Sequence, residues 1–385
     1  MDNNEAYIAL NLLPGIGPLR VNQLLTLFGE PREILKAPHG RLARVPGIGS
    51  RFADLLCNWQ KHCDLPGELD MVKKGGVTII TREHECFPAL LREIHDPPLC
   101  LYVRGDVQGL AELRAAIAIV GSRRTTRYGI RAAENLATAA ALAGWTVVSG
   151  LARGIDTIAH QATLRVHGRT IAVLGSGLAR VYPQQNIELA RKITAENGSL
   201  VSEFPMTFRP DKRTFPMRNR IISGMTRGCI VVEAGHRSGS LITANQALDQ
   251  NRQVFAVPGP IDSPQSRGCN ALIKEGAKLV ENFQDVLEEF ACFKALEQPE
   301  HLTKKNGKMR RETVNSSAEN LQLSPLERKI ISFLDHSETA IDALIAELEA
   351  PPAKVLAAVV ALEMRHLVRQ LPGKRVTKNT DLLTG

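Results

Sequence analysis

Aromatic residues are scarce in this 385-residue sequence, at 4%, which excludes a broad platform of stacked rings. The seven cysteines (57, 63, 86, 100, 229, 269 and 292) are odd in number and include no Cys-x-x-Cys. That rules out a disulfide framework and the usual zinc spacing, and it points to a reducing compartment. No run approaches the roughly 20 apolar residues that cross a bilayer. The acidic start, Met1-Asp-Asn-Asn-Glu5, lacks the basic and apolar regions of a signal peptide, so a cytoplasmic protein without membrane contact is expected. No Gly-x-x-x-x-Gly-Lys-Ser/Thr occurs, and Gly175-Ser-Gly177 is a lone pair of glycines rather than a dinucleotide fingerprint. His160, His167 and His236 have no metal-ligand spacing and are expected to cap or pack. Neither a cofactor nor a metal is implied. Acids are outnumbered, 40 against 48 Lys and Arg, and the net charge of +8 leans modestly towards polyanionic partners.

Against this background one stretch stands out, Arg209-Pro-Asp-Lys-Arg-Thr-Phe-Pro-Met-Arg-Asn-Arg220. Five cations (Arg209, Lys212, Arg213, Arg218, Arg220) surround one ring, Phe215, with Asp211 as the one acid. Cations neutralise phosphates and a ring face accepts any base, so the stretch reads as a basic loop suited to single-stranded nucleic acid. The other reading is a solvated basic loop whose Phe215 plugs the core.

Five segments are expected along the chain. Residues 1–70 carry two similar turns, Leu13-Pro-Gly-Ile-Gly-Pro18 and Val45-Pro-Gly-Ile-Gly-Ser50, each ahead of an amphipathic helix. This is the pattern of an all-α helix-hairpin-helix (SAM-like) domain, whose hairpin amides face either phosphate or another protein. Residues 71–107 read as an extension with two strands. Residues 108–292 alternate apolar strand runs with helices, which predicts a doubly wound, mostly parallel, Rossmann-like α/β sheet. Residues 293–322, polar and basic, read as a linker. Residues 323–385 begin with a capping box at Ser324-Pro-Leu-Glu327 and predict three helices and a hairpin, a winged-helix domain. Its third helix, Ala353 to His366, is mostly apolar, which favours protein contact over duplex reading.

Ligands of such sheets bind beyond the carboxyl ends of the strands. There the sequence places Gly121-Ser-Arg123, Ser149-Gly150 with Arg153, Gly175-Ser-Gly177, Ser202-Glu203 and Ser238-Gly-Ser240. Small residues, hydroxyls and cations on one sheet edge suggest a floor for phosphates. The candidate nucleic-acid-binding set is therefore Gly121, Ser122, Arg123, Ser149, Gly150, Arg153, Lys212, Phe215, Arg218, Asn219, Arg220, Ser238, Gly239 and Ser240.

The motifs Ile119-Val-Gly-Ser-Arg123, Val148-Ser-Gly-Leu-Ala-Arg-Gly-Ile-Asp156, Tyr182-Pro183, Phe215-Pro-Met-Arg-Asn-Arg-Ile-Ile-Ser-Gly224, Ser238-Gly-Ser-Leu241 and Phe255-Ala-Val-Pro-Gly259, in this order, resemble the DprA/Smf family of bacterial DNA-processing proteins. The resemblance implies a non-enzymatic binder of single-stranded DNA. Such a protein protects incoming strands in natural transformation, helps load the RecA recombinase and acts as a homodimer. It matches Arg123, Lys212 and Phe215 to the family's binding pocket; Arg124 is an additional cation beside it. The competing class is a nucleotide hydrolase of the lysine-decarboxylase-like group, with Glu203 and Glu233 as an acid/base pair, although Arg237-Ser-Gly-Ser-Leu-Ile-Thr-Ala-Asn-Gln246 lacks that group's catalytic carboxylate.

Overall fold

Short aliphatic runs bounded by glycine and polar residues assemble into one nine-stranded sheet in the computed structural model. It describes residues 1–113 and 115–296 and, near the C-terminus, 325–334, 339–340, 344, 347–348, 355, 358–359, 362, 368–371 and 375–378. The strands are β1 (Thr78–Thr81), β2 (Cys100–Gly105), β3 (Ala116–Val120), β4 (Thr146–Ser149), β5 (Thr170–Val173), β6 (Ser199–Ser202), β7 (Gly228–Val231), β8 (Gln253–Ala256) and β9 (Lys278–Leu279). Their order is β1-β2-β6-β5-β4-β3-β7-β8-β9. β1/β2 and β2/β6 pair antiparallel and the remaining neighbours parallel. The doubly wound sheet is thus present, and the stretch read as an extension supplies two of its strands.

Every residue of β3 to β7 is buried, as expected where helices cover both faces of a parallel sheet. The helices of this first unit are α1 (Asn3–Leu12), α2 (Pro18–Phe28), α3 (Gly49–Cys57), α4 (Leu65–Lys74), α5 (Arg127–Leu142), α6 (Ile155–Arg165), α7 (Ile187–Ala195), α8 (Thr214–Gly224), α9 (Gly239–Asp249), α10 (Arg267–Lys274) and α11 (Phe283–Leu296), besides shorter turns. Side chains alternate along a strand, so β3 sends Ile117 and Ile119 to a layer with Leu136, Ile155 and Phe283. Its Ala118 and Val120 face a second layer with Ile221, Ile222, Ala244 and Leu272. The sheet therefore lies between α5, α6 and α11 on one side and α8, α9 and α10 on the other.

The N-terminal helices have their own core of Tyr7, Leu10, Leu24, Ile34, Leu42, Ile48 and Leu56, closed against Leu99 of the sheet segment. Gly15 and Gly47 turn the two hairpins at φ +78° and +77°, a region that an L side chain rarely adopts. Arg20 ties them together, donating to the carbonyls of Gly15 at 2.7 Å and Gly47 at 3.3 Å.

The chain forms two compact units, Met1–Pro299 and Glu300–Gly385. Helix α11 runs on to Leu296, past the position at which the linker reading begins; the rest of that segment lies outside the described residues. In the second unit, α12 (Pro325–Phe333) accompanies a sheet of β10 (Thr339–Ala340), β12 (Arg375–Lys378) and β11 (Val368–Leu371), in that order. Strands β11 and β12 form the expected antiparallel hairpin. The two further helices expected there fall largely outside the described residues. Among the described residues no helix is long and apolar enough to cross a membrane.

Candidate nucleic-acid interface

Strand order reverses around β3, whose neighbours are β4 on one side and β7 on the other. Helices following such strands diverge to opposite faces and leave a crevice beyond the strand ends. A cleft of about 850 Å³ opens there. It is walled by Gly121, Ser122, Arg123 and Arg124 after β3, by Lys212, Phe215, Arg218 and Asn219, and by Arg237, Ser238, Gly239 and Ser240 after β7. Ten of the fourteen candidate residues therefore share one cleft.

The basic stretch is only half a loop. Residues Thr214–Gly224 are helical, and Pro216 is accommodated because it falls in the first turn, where its missing N–H leaves no bond unmade. The sequence reading missed this because Phe215-Pro216 and the charge density mask the helical period. Within that period Arg218, Ile221, Ile222 and Met225 share a stripe, at positions i, i+3, i+4 and i+7, and all four are buried. The apolar members of the stripe gain about 1.5–3 kcal/mol each on burial. They fix the helix orientation, and Arg218 is drawn inward with them.

Arg218 is 4% exposed and donates through Nη1 to the carbonyls of Gly150, at 2.5 Å, and Val173. Burial pushes its guanidinium down to about 10; Asp156 pulls it up, and Arg123 pushes it further down. Arg218 is thus a fixed charge in the floor of the cleft rather than a mobile phosphate clamp. Arg220 corrects the sequence reading outright. It does not line the cleft, and its guanidinium pairs with Glu203 and, through Nε at 3.0 Å, with Asp96.

The expected floor for phosphates at the strand ends also needs correction at two places, where the chain's own carboxylates take the backbone amides. After β4, Asp156 accepts from the amide of Gly150 at 3.0 Å and that of Ala152 at 3.4 Å. At the start of α5, Glu233 accepts from the Thr126 amide at 3.0 Å and from its hydroxyl at 2.5 Å. Buried amides require acceptors whether or not a ligand is bound, and the chain supplies its own carboxylates. Ser149, fully buried, donates to the Ile119 carbonyl at 2.7 Å. Gly150 is glycine because a Cβ there would come within 2.4 Å of the Arg218 guanidinium. Ser149 and Gly150 are internal supports, and Arg153 is exposed but lies outside the cleft wall.

The exposed groups of the cleft include Arg123, Arg124, Tyr182, Lys212, Arg237 and Gly239. Phe215 is half-buried, with the Arg123 guanidinium over its ring at 5.4 Å and the Tyr182 ring beside it at 5.8 Å. Its helix is pinned by Thr214, whose hydroxyl donates to Gly175 O at 2.6 Å. Ser122 holds the β3 turn, bonding both the amide and the carbonyl of Arg124. Ser238 caps α9, and Asn219 reaches the Gly239 carbonyl at 3.4 Å. The sequence set omitted Arg124, Arg237 and Tyr182, although Tyr182 stands in a strand-end motif and the two arginines adjoin chosen residues. His160 is a core residue as expected, with Nδ1 on Thr170 Oγ1 at 2.7 Å and burial holding its imidazole down to about 3. His167 and His236 are exposed, so packing is not their role. Among the described residues no group of His, Cys, Asp and Glu is placed to hold a metal ion.

Residues 78–291 match the family model described as DNA recombination-mediator protein A, and residues 315–374 match a DprA winged-helix domain. Protein Smf of Synechocystis is 33% identical over 395 residues, covering 97% of this chain and 98% of that protein. The crystal structure of DNA processing protein A from Streptococcus pneumoniae superposes with a TM-score of 0.65 at 36% identity, covering 75% of this chain and 98% of that one. DNA processing protein A from Helicobacter pylori, described for its single-stranded DNA binding mode, gives a TM-score of 0.51 at 30% identity, covering 56% of this chain and 96% of that one.

Proposed function

The chain belongs to the DNA recombination-mediator protein A (DprA/Smf) family, and from that premise we propose that its cleft binds single-stranded DNA without sequence preference, as a step in DNA processing during transformation. One observation carries the reading: a half-exposed ring, Phe215, stands among the exposed cations Arg123, Arg124 and Lys212 at the switch point of the sheet. A ring face is available only to an unpaired base, and cations around it take up the flanking phosphates. The Helicobacter pylori relative, described for its single-stranded DNA binding, supports the same ligand class.

The competing hydrolase reading needs free carboxylates. Glu203 is held by Arg220 and Glu233 by Thr126, and neither lines the cleft. The proposal is accordingly a binding protein without catalysis. Its finer parts, delivery of the strand to a RecA-type recombinase and a homodimer through the central domain, rest on family membership. For the dimer, β9 ends the sheet with Leu279 41% exposed, a short edge on which a second copy can seat.

Titration with single-stranded and blunt duplex oligonucleotides across a salt series tests the proposal. Single strands should bind more tightly, with a log–log slope of about −0.7 per neutralised phosphate. Equal or tighter duplex binding at matched salt would remove it. In the same series Arg123→Ala should weaken binding and flatten the slope, because it deletes a phosphate contact. An unchanged slope in the folded variant would reassign Arg123 to a structural role on the Phe215 ring.

A further inference from the structure

We infer that the cleft contains a second base subsite, formed by Tyr182, so that two neighbouring nucleotides of one strand are held on separate rings. This rests on the assignment of Phe215 as the first stacking surface. Tyr182 lines the cleft, is 45% exposed and makes no hydrogen bond through its hydroxyl among the described residues. Among the described residues its one ring contact is with Phe215, at 5.8 Å between centroids and 39° between planes. The two rings are therefore tilted neighbours rather than a closed stack, and each keeps ring surface open to the cleft.

The loop leading into Tyr182 is tied to the rest of the fold at several points. It is braced by Ser176 Oγ donating to Arg180 O at 2.8 Å and by the Gly177 amide donating to Phe208 O at 3.0 Å. The Ala179 amide donates to Met206 O at 3.0 Å. A ring held in place before binding loses little conformational freedom when a base arrives, so its contact surface is returned as affinity. Arg180, exposed on the same loop, supplies a cation for the next phosphate.

The spacing selects how the two bases lie. A stacked strand advances about 3.4 Å per nucleotide, and the rings stand 5.8 Å apart. That gap is less than two stacking distances, so no base enters between the rings, and bases on their open faces rest on separate rings rather than on each other. A duplex cannot open in this way without losing pairs, which adds to the preference for single strands.

A double-mutant cycle on the full-length protein with a dT oligonucleotide separates this subsite from mere support of Phe215. Tyr182→Leu should weaken binding by about 5- to 100-fold, with Tyr182→Phe near wild type. In a Phe215→Ala background Tyr182→Leu should weaken binding by a similar factor, because a second base is lost. If Tyr182 only props Phe215, the Tyr182→Leu loss disappears in that background, and the subsite is overturned. Loss with Phe215→Ala but none with Tyr182→Leu would remove the second subsite and leave the first intact. No loss with Phe215→Ala would remove the stacking assignment on which both depend. A dinucleotide of adjacent 2-aminopurines within the oligonucleotide should lose its exciton-coupled circular dichroism on binding wild-type protein as the two bases separate; a retained couplet would overturn two splayed bases. Because Tyr182 is 45% exposed and lies outside the core layers, an unchanged melting temperature is expected and is checked on each variant.

Discussion

Arg220→Ala should cost about 3–5 kcal/mol of folding stability while leaving the affinity of the folded protein for single strands unchanged. The guanidinium is buried between Glu203 and Asp96, and Glu203 is itself only 6% exposed. Removing the cation strands a carboxylate in the interior, where the loss exceeds what the intact pair contributes. Burial already pushes the Glu203 carboxyl up, Arg220 pulls it down and Asp96 pushes it up again. Without Arg220 the upward push is unopposed. A carboxyl whose folded pKa lies above its unfolded value stabilises below the unfolded value and loses that contribution as pH rises through the folded one. The variant's deficit should therefore be small near the ordinary carboxylate range and grow towards neutral pH, as read by urea melts of both proteins across that interval. A variant with the wild-type melting curve and weakened binding would return Arg220 to the DNA contacts.

Phe215→Ala is expected to lower single-strand affinity by about 1–3 kcal/mol with little change in melting temperature. A ring packed wholly in the core would instead cost about 3–5 kcal/mol of stability on truncation. The structure favours the first outcome, since Phe215 is half-buried and absent from the core layers, while Arg123 and Tyr182 occupy its flanks. The guanidinium stands over the ring at 5.4 Å, so a base that takes that ring face has to displace Arg123 from it. Lys212→Ala is the internal control, because its loss should shrink as salt rises whereas a stacking loss persists. A protein that melts early and binds normally when folded would identify Phe215 as packing.

Both results bear on the same twelve-residue stretch, where sequence and structure part company. Arg123, Lys212 and Phe215 were chosen because a turn after a buried strand, two prolines and a concentration of charge all announce a surface feature, and they do share one cleft. Arg218 and Arg220 were chosen for the same charge, yet lie inside. Their fate follows from Ile221, Ile222 and Met225, which set the face that α8 presents to the sheet. Ser149 and Gly150 were chosen as phosphate cradles, and Asp156 already fills that cradle. Tyr182 was passed over because nothing local brings it to Phe215, which lies 33 positions later in the chain.

What the sequence determined alone is what short-range patterning controls. Alternating apolar runs specified the strands, their full burial specified a parallel sheet, and glycine, hydroxyl and arginine at their ends marked the working edge. The repeated Pro-Gly-Ile-Gly turns specified the N-terminal hairpins. Which charges remain free was settled by long-range packing. A buried guanidinium and an exposed one are written with the same letter, and a carboxylate that satisfies the chain's own amides looks like one awaiting a substrate. Those assignments depend on which groups meet when distant strand ends converge beyond β3, and on the cost of leaving a buried amide or charge without a partner.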